Sequence, residues 1–264
     1  MKIKLSHTLT TLLVLLCTTC LYGQSDQGGG FHFTCASWER ISGSPIHYLA
    51  GRPTKNEDIQ SKLERLKEVD VTEMTRSQSY EFKGGRVVNF YRTKPSSDGE
   101  VALQKVAAVN VPASWNNALF VFFPGKNKDT YRIYPINDDR SHAPFGSYQF
   151  VNLSSIGVHG FLDRKKLSLK AKAASVVKLN GSESRSINFG VWAMVDGKRK
   201  WLQRNTLTYK PSKYLIYFFY ETRDRRGKMK MESKGIVAFR PPPVVDERGV
   251  ASSIKPGSET SSAN

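Results

Sequence analysis

The chain predicts an all-β protein built as two tandem β-sandwiches, with one short accessory helix at about residues 54–68. Three observations predict it. From Tyr80 onward apolar residues recur with a period of two, the spacing that sends alternate side chains of a strand to one face. Gly-Gly and Asp-Gly pairs punctuate the pattern where tight turns need positive φ. Two segments, 118–123 and 214–220, are apolar on both parities, as expected of strands in the middle of a core, either covered on both faces or carrying aromatic residues on the outer face.

In chain order, residues 1–23 run from Lys2 and Lys4 through an apolar stretch to Gly23 and then turn polar, the order of a secretory signal peptide. The apolar stretch falls short of the ~20 residues a membrane-spanning helix needs. An exported, periplasmic or extracellular protein is expected, with no transmembrane segment after cleavage at Gly23. Cys17 follows Leu16 and Cys20 follows Thr19, not a small residue, so lipid anchoring is disfavoured. Cleavage lowers the formal charge of the 264-residue chain from +17 to +15 and leaves Cys35 as the sole cysteine. No internal disulfide is then available, and stability must come from a packed core.

The domain boundaries expected are a flexible lead-in at 24–31, a β-rich domain carrying the helix at 32–140, a second sandwich at 141–245 and a disordered Ser-rich tail at 246–264. Thr54 and Glu57 have capping-box spacing, and Ile59, Leu63 and Leu66 follow at helical intervals, giving an apolar stripe to lie against a sheet. Tyr80–Lys83, Gly84-Gly85 and Arg86–Tyr91 have the signature of a hairpin. So do Val191–Val195, Asp196-Gly197 and Lys198–Gln203. Ile187, Phe189, Val191, Ala193 and Val195 share one face, as do Ile156, Val158, Gly160 and Leu162. Lys165–Ala173 alternates Leu and Ala with Lys and Ser, so the leucines account for a half-buried strand and the lysines for its wet side. Leu119 and Leu215, 96 residues apart in the two doubly apolar segments, suggest a weak tandem repeat of two sandwich modules, the alternative being a coincidence between strands that every sandwich has.

Residues 145–154, FGSYQFVNLS, followed by SIGVHGFLD, resemble the opening of secreted bacterial immunoglobulin-like sandwich modules of unknown function. The likeness spans 145–179. It implies an immunoglobulin-like fold for the sandwiches and an exported protein, and it carries over no site residue.

Catalytic motifs are sparse. Gly43-Ser44 and Gly146-Ser147 lack the spacing of a nucleophile elbow. The stretch 123–128 has one glycine and two lysines, without the paired glycines and Lys-Ser/Thr ending of a phosphate-cradling loop. Asp138, Asp139 and His142 form the only local cluster of metal-ligand types, a weak candidate against a solvated loop. Cys35 with His47 as base is the one conceivable thiol nucleophile, against a small buried hydrophobe. No cofactor is expected.

The basic residues concentrate at turns. Arg223, Arg225, Arg226, Lys228 and Lys230 mark one; Lys198, Arg199 and Lys200 a second; Arg164, Lys165 and Lys166 a third. Turns of a sandwich gather at its two ends, where such clusters merge into an anion-binding surface if they share an end; otherwise they serve solubility. The reading is a non-catalytic binding or assembly protein of the bacterial envelope, its partner an envelope protein, an anionic glycan or a lipid head group. Nucleic acid is disfavoured because no recognition fold or RNA-binding signature occurs. The competing reading is an extracytoplasmic glycan or peptidoglycan hydrolase whose carboxylates the fold brings together.

Overall fold

The computed structural model describes residues 30–51, 57–96, 100–127, 129–240, 244–245 and 251–252. The expected signal peptide, residues 24–29 of the lead-in, Thr54 and most of the tail lie outside them.

The first module holds eight strands: β1 (Phe31–Ser37), β2 (Ile46–Leu49), β3 (Leu66–Val69), β4 (Tyr80–Phe82), β5 (Val87–Pro95), β6 (Val101–Asn110), β7 (Asn117–Pro124) and β8 (Tyr131–Asn137). The second repeats the plan with β9 (Ser147–Asn152), β10 (Val158–Leu162), β11 (Lys165–Leu169), β12 (Ala174–Lys178), β13 (Arg185–Val195), β14 (Lys198–Tyr209), β15 (Lys213–Arg223) and β16 (Met229–Phe239). A minimal pair, β17 (Val244–Val245) and β18 (Ala251–Ser252), follows.

Sheet order shows that the modules share one topology. In the first, β4-β1-β7-β8 faces β3-β2-β5-β6; in the second, β12-β9-β15-β16 faces β11-β10-β13-β14. Each first strand pairs in parallel with the seventh, β1 with β7 and β9 with β15, while every other pairing between these described strands is antiparallel. Even the bulge recurs, with Val106 of β6 the extra residue opposite Phe90 and Tyr91 and Leu202 of β14 the extra residue opposite Val191 and Trp192. A bulge sets a local bend and re-aims side chains, so its repetition makes the two modules matched in detail.

Three apolar clusters hold these layers. Phe33, Cys35, Tyr48, Phe90 and Phe120 fill the first sandwich, and Phe150, Phe189, Val191, Tyr217 and Phe219 the second. The third lies between the modules, where Leu119, Val121 and Phe123 of β7 meet Tyr214, Ile216 and Phe218 of β15, with Trp38 packed among them. The two doubly apolar segments are thus the central strands of two sheets stacked face to face. Burying each such apolar side chain contributes about 1.5–3 kcal/mol by removing its surface from water. The 96-residue offset needs one correction: Leu119 faces the third cluster and Leu215 the second. Leu119 shares its face with Ile216 instead, because side chains alternate and a one-residue slip reverses every face.

Other expectations also change. The helix spans only Ile59–Glu64, with Asp58 as N-cap accepting from the Ser61 amide at 2.7 Å, and it buries none of its residues. Leu66 leaves the helix because Leu66–Val69 pairs with β2, which satisfies its backbone in a sheet. Gly84-Gly85 does not close a hairpin: β4 pairs with β1 and β5 with β2 and β6, so the glycines carry the chain from one sheet to the other. A Cβ on Gly84 would sit 2.4 Å from the Gly51 carbonyl oxygen. The half-buried strand at 165–173 ends at Leu169, and Lys172 takes a positive φ of 58° in the turn beyond. Phe31, assigned to the lead-in, is buried and opens β1.

Candidate binding surface

Register decides which basic turns meet. Val158 pairs with Ala193 and with Leu169, and Asn152 with Phe219. The β13–β14 tip, the β15–β16 tip, the 153–157 loop and the β11–β12 turn therefore share one end of the second module. Ser155 ties two of them, donating from its amide and Oγ to Glu221 Oε2 at 2.6 Å each, which holds the Glu221 carboxyl below its usual value. Lys172 Nζ donates to the Leu153 carbonyl. The turn at Arg164, Lys165 and Lys166 lies at the opposite end, where Leu162 pairs with Phe189, and Lys165 is spent on the Lys178 carbonyl. Two of the three expected clusters share an end of the module and the third lies at the other.

Within the β15–β16 tip the roles differ. Asp224 accepts from the amides of Arg226 and Lys228 at 2.8 and 2.9 Å, and Arg223 donates to the Gly227 carbonyl at 2.9 Å. These bonds shape the turn. Arg225, Arg226 and Lys228 are left exposed, with no side-chain partner among the described residues. Lys230 pairs with Glu232 at 3.2 Å. On the neighbouring tip Lys198 is exposed and unpaired among the described residues, and Lys200 stands 4.0 Å from Asp196.

Arg199 is engaged differently. Its guanidinium lies 4.0 Å from the ring centroid of Trp192 and 5.0 Å from that of Trp201, which themselves meet edge to face at 5.2 Å. These rings belong to the outer face of the β10–β13–β14 sheet, which also carries His159, Phe161 and Arg204. The bulge at Leu202 sets Trp201 opposite Trp192 and Arg204 opposite Gly190, so both point away from the core. Sequence reasoning named the hairpin and its basic tip but missed this face. Its available signal was the outward parity of Trp192, shared with Met194.

Asp138, Asp139 and His142 do not converge as ligands. Asp138 joins Arg76 and Arg140 at 2.5 Å each. Asp139 accepts from the Asn116 and Asn117 amides at 3.2 and 2.9 Å, while His142 is exposed. Both carboxylates brace the segment linking the modules. Among the described residues no group of three His, Cys, Asp or Glu side chains is arranged to hold a metal. Cys35 points into the first core, where burial foremost, with the Asp70 charge, pushes its thiol well above the usual value. His47 alternates with buried Ile46 and Tyr48 and so faces the other side of its sheet, which removes it as a base for Cys35.

Near the β7–β8 turn an open depression of about 300 Å³ is lined by Glu39, Arg40, Asp129 and Tyr131 among others. Asp129 lies 3.7 Å from the buried Arg92 guanidinium. No described helix is long and apolar enough to cross a membrane. No model of a known protein family matches the chain, and no curated protein matches it significantly.

Proposed function

We propose that this is an exported, non-catalytic binding protein of the bacterial envelope whose second module meets an anionic partner with the end formed by its two basic hairpin tips. One observation carries the reading: by strand register the two tips lie at the same end of the second module, and Arg225, Arg226 and Lys228 have no side-chain partner among the described residues. Unpaired guanidinium and ammonium groups held on a rigid hairpin form a focused positive field that steers anions. The charge pattern of residues 1–23 and the likeness of residues 145–179 to secreted sandwich modules support the exported setting.

The test compares two double charge reversals of equal net charge in the full chain, Arg225→Glu with Arg226→Glu at the tip and Arg164→Glu with Lys178→Glu at the opposite end. Binding to phosphatidylglycerol vesicles and to polygalacturonate is measured at low and high salt. The tip variant is expected to weaken salt-sensitive binding to at least one of them by about tenfold or more, against about twofold for the other variant. Equal losses would reduce the basic tips to general solubility and overturn the reading.

A further inference from the structure

The two modules share strand order, parallel pairing and bulge position, so positions at which they differ on an exposed face are not dictated by the fold. His47 pairs with Tyr91 and Tyr91 with Lys105 in the first module; at the same places His159 pairs with Trp192 and Trp192 with Trp201 in the second. Counting from the bulges, Leu103 and Ala108 stand where the second module has Arg199 and Arg204. The first sandwich closes without this set. The second has gained two indoles, Trp192 for Tyr91 and Trp201 for Lys105, and two guanidinium groups on the sheet face turned away from the core.

The face is flat as well as aromatic. Gly190 sits beneath Phe161 and Trp201, and a Cβ there would come within 2.6 Å of the Phe161 ring and 3.0 Å of Trp201. Its missing side chain lets both rings lie low across the sheet, yet Trp201 remains 43% exposed and the adjoining Met194 51%. Beside them Phe161, Asn188, Arg204 and Thr206 line an open depression of about 450 Å³. The strands of this sheet, VHGFL, KKLSL, RSINFGVWAMV and KRKWLQRNTLTY, contain no Asp or Glu. Arg199 and Arg204 lie 5.0 and 5.4 Å from the Trp201 ring centroid and face no carboxylate of these strands. Such an aromatic and cationic surface suits a ligand with C–H-rich rings and carboxylates, since the rings pack on exposed aromatic surface and Arg forms paired hydrogen bonds to carboxylate oxygens.

We infer that the outer face of the β11–β10–β13–β14 sheet is a binding site for an acidic polysaccharide of the uronate type, with Trp201 and Phe161 packing against sugar rings and Arg199 and Arg204 taking the carboxylates. Single-stranded nucleic acid shares the charge but needs successive open rings to stack bases. Here Arg199 already covers Trp192, and Trp201 stands at 65° to it. The inference rests on the anionic-partner reading and adds both a surface and a ligand class to it.

The experiment titrates the full chain with polygalacturonate, neutral dextran and oligothymidylate, following tryptophan fluorescence and calorimetric heat. Polygalacturonate is expected to bind and dextran not. Trp201→Ala and, separately, Arg199→Gln are expected to weaken polygalacturonate binding by about tenfold, with melting temperatures close to that of the parent. Unchanged polygalacturonate binding in Trp201→Ala overturns the inference even where the tip reversal weakens binding, an outcome that leaves the anionic-partner reading standing. Loss in Trp201→Ala without loss in the tip reversal upholds this face and removes the tips. Tighter, Trp201-dependent binding of oligothymidylate overturns the ligand class.

Discussion

Lys234 Nζ donates to the backbone carbonyl of Trp38 at 2.6 Å while standing 4.9 Å from the centroid of the Trp38 ring, joining the last long strand of the second module to the first. The same ammonium pairs with Glu73 at 3.0 Å. Trp38 in turn stacks on Phe123 and meets Phe218 and Tyr220. Trp38→Ala is expected to cost roughly 3–5 kcal/mol through the cavity it leaves. Lys234→Ala is expected to cost about 1–2 kcal/mol through the lost charge-assisted bond. Urea unfolding followed by fluorescence checks both; the interface account requires Trp38→Ala to be the more damaging.

Asp138 is the junction of the linking segment, with Arg76 on one side and Arg140 on the other. Arg140 also lies 4.3 Å from the Tyr214 ring centroid, which brings the network into contact with β15. Asp138→Ala strands two guanidinium groups in a largely buried site, for which a loss of roughly 3–5 kcal/mol is expected. Replacing Arg76 as well, with Met, should recover part of that loss. Denaturation midpoints of the single and double variants decide the point; a double variant no more stable than Asp138→Ala would rule out the ion-pair account.

Glu221 gives stability a dependence on acid. Its carboxyl is held down first by the Ser155 hydroxyl and amide. A lowered folded value means that its contribution is present above the ordinary carboxylate value of 4.5 and fades as the pH falls through the folded value. Glu221→Gln should therefore lower the melting temperature at neutral pH and converge with the parent in acid. A difference that persists undiminished in acid would assign the effect to packing.

Alkali acts on buried phenols. Tyr48 and Tyr148 are each pushed from 10.0 to about 12, foremost by burial, and Tyr214 is raised further by burial and by Asp138. Their neutral forms favour the fold, so stability is full below pH 10 and declines as the pH climbs toward 12, because the unfolded chain loses those protons first. An absorbance titration should show these tyrosines ionising together with loss of near-ultraviolet circular dichroism. Their ionisation at pH 10 in a folded chain would contradict the buried placement.

Cys35, fully buried, should stay unreactive toward a thiol reagent in the folded protein and react on unfolding at the global rate. Fast labelling under native conditions would show that the first core opens locally.

The architecture was legible where periodicity speaks for itself. Residues 118–123 and 214–220 announced central strands, and of the two arrangements open to them, both faces covered or an aromatic outer face, packing between two sheets selects the first. Asp196-Gly197 announced a hairpin and closes one, with positive φ at both residues. Gly84-Gly85 offered the same local chemistry and joins two sheets, because turn residues fix a reversal of direction but not the strand that receives the chain. Leu66 fitted a helical stripe as well as a strand, and the open edge of β2 decided between them. The candidate surface was half legible. Composition located Arg223–Lys230 and Lys198–Lys200, whereas their adjacency depends on registers between strands far apart in sequence. The aromatic face depends on a bulge, whose position no alternation pattern reveals.

The parallel pairing of β1 with β7 bears on how the molecule comes to exist. Thr34–Ser37 have their sheet partners at Leu119–Phe122, some 85 residues later in the chain. A growing chain that stops short of Asn117 leaves one side of β1 without hydrogen-bond partners and its phenylalanines without the floor that Phe120 provides. Closing so long a loop costs entropy before any contact repays it, so each sandwich should assemble late and slowly. The second repeats the constraint between β9 and β15. Until its penultimate long strand has arrived, each half of this protein stays a pliable thread.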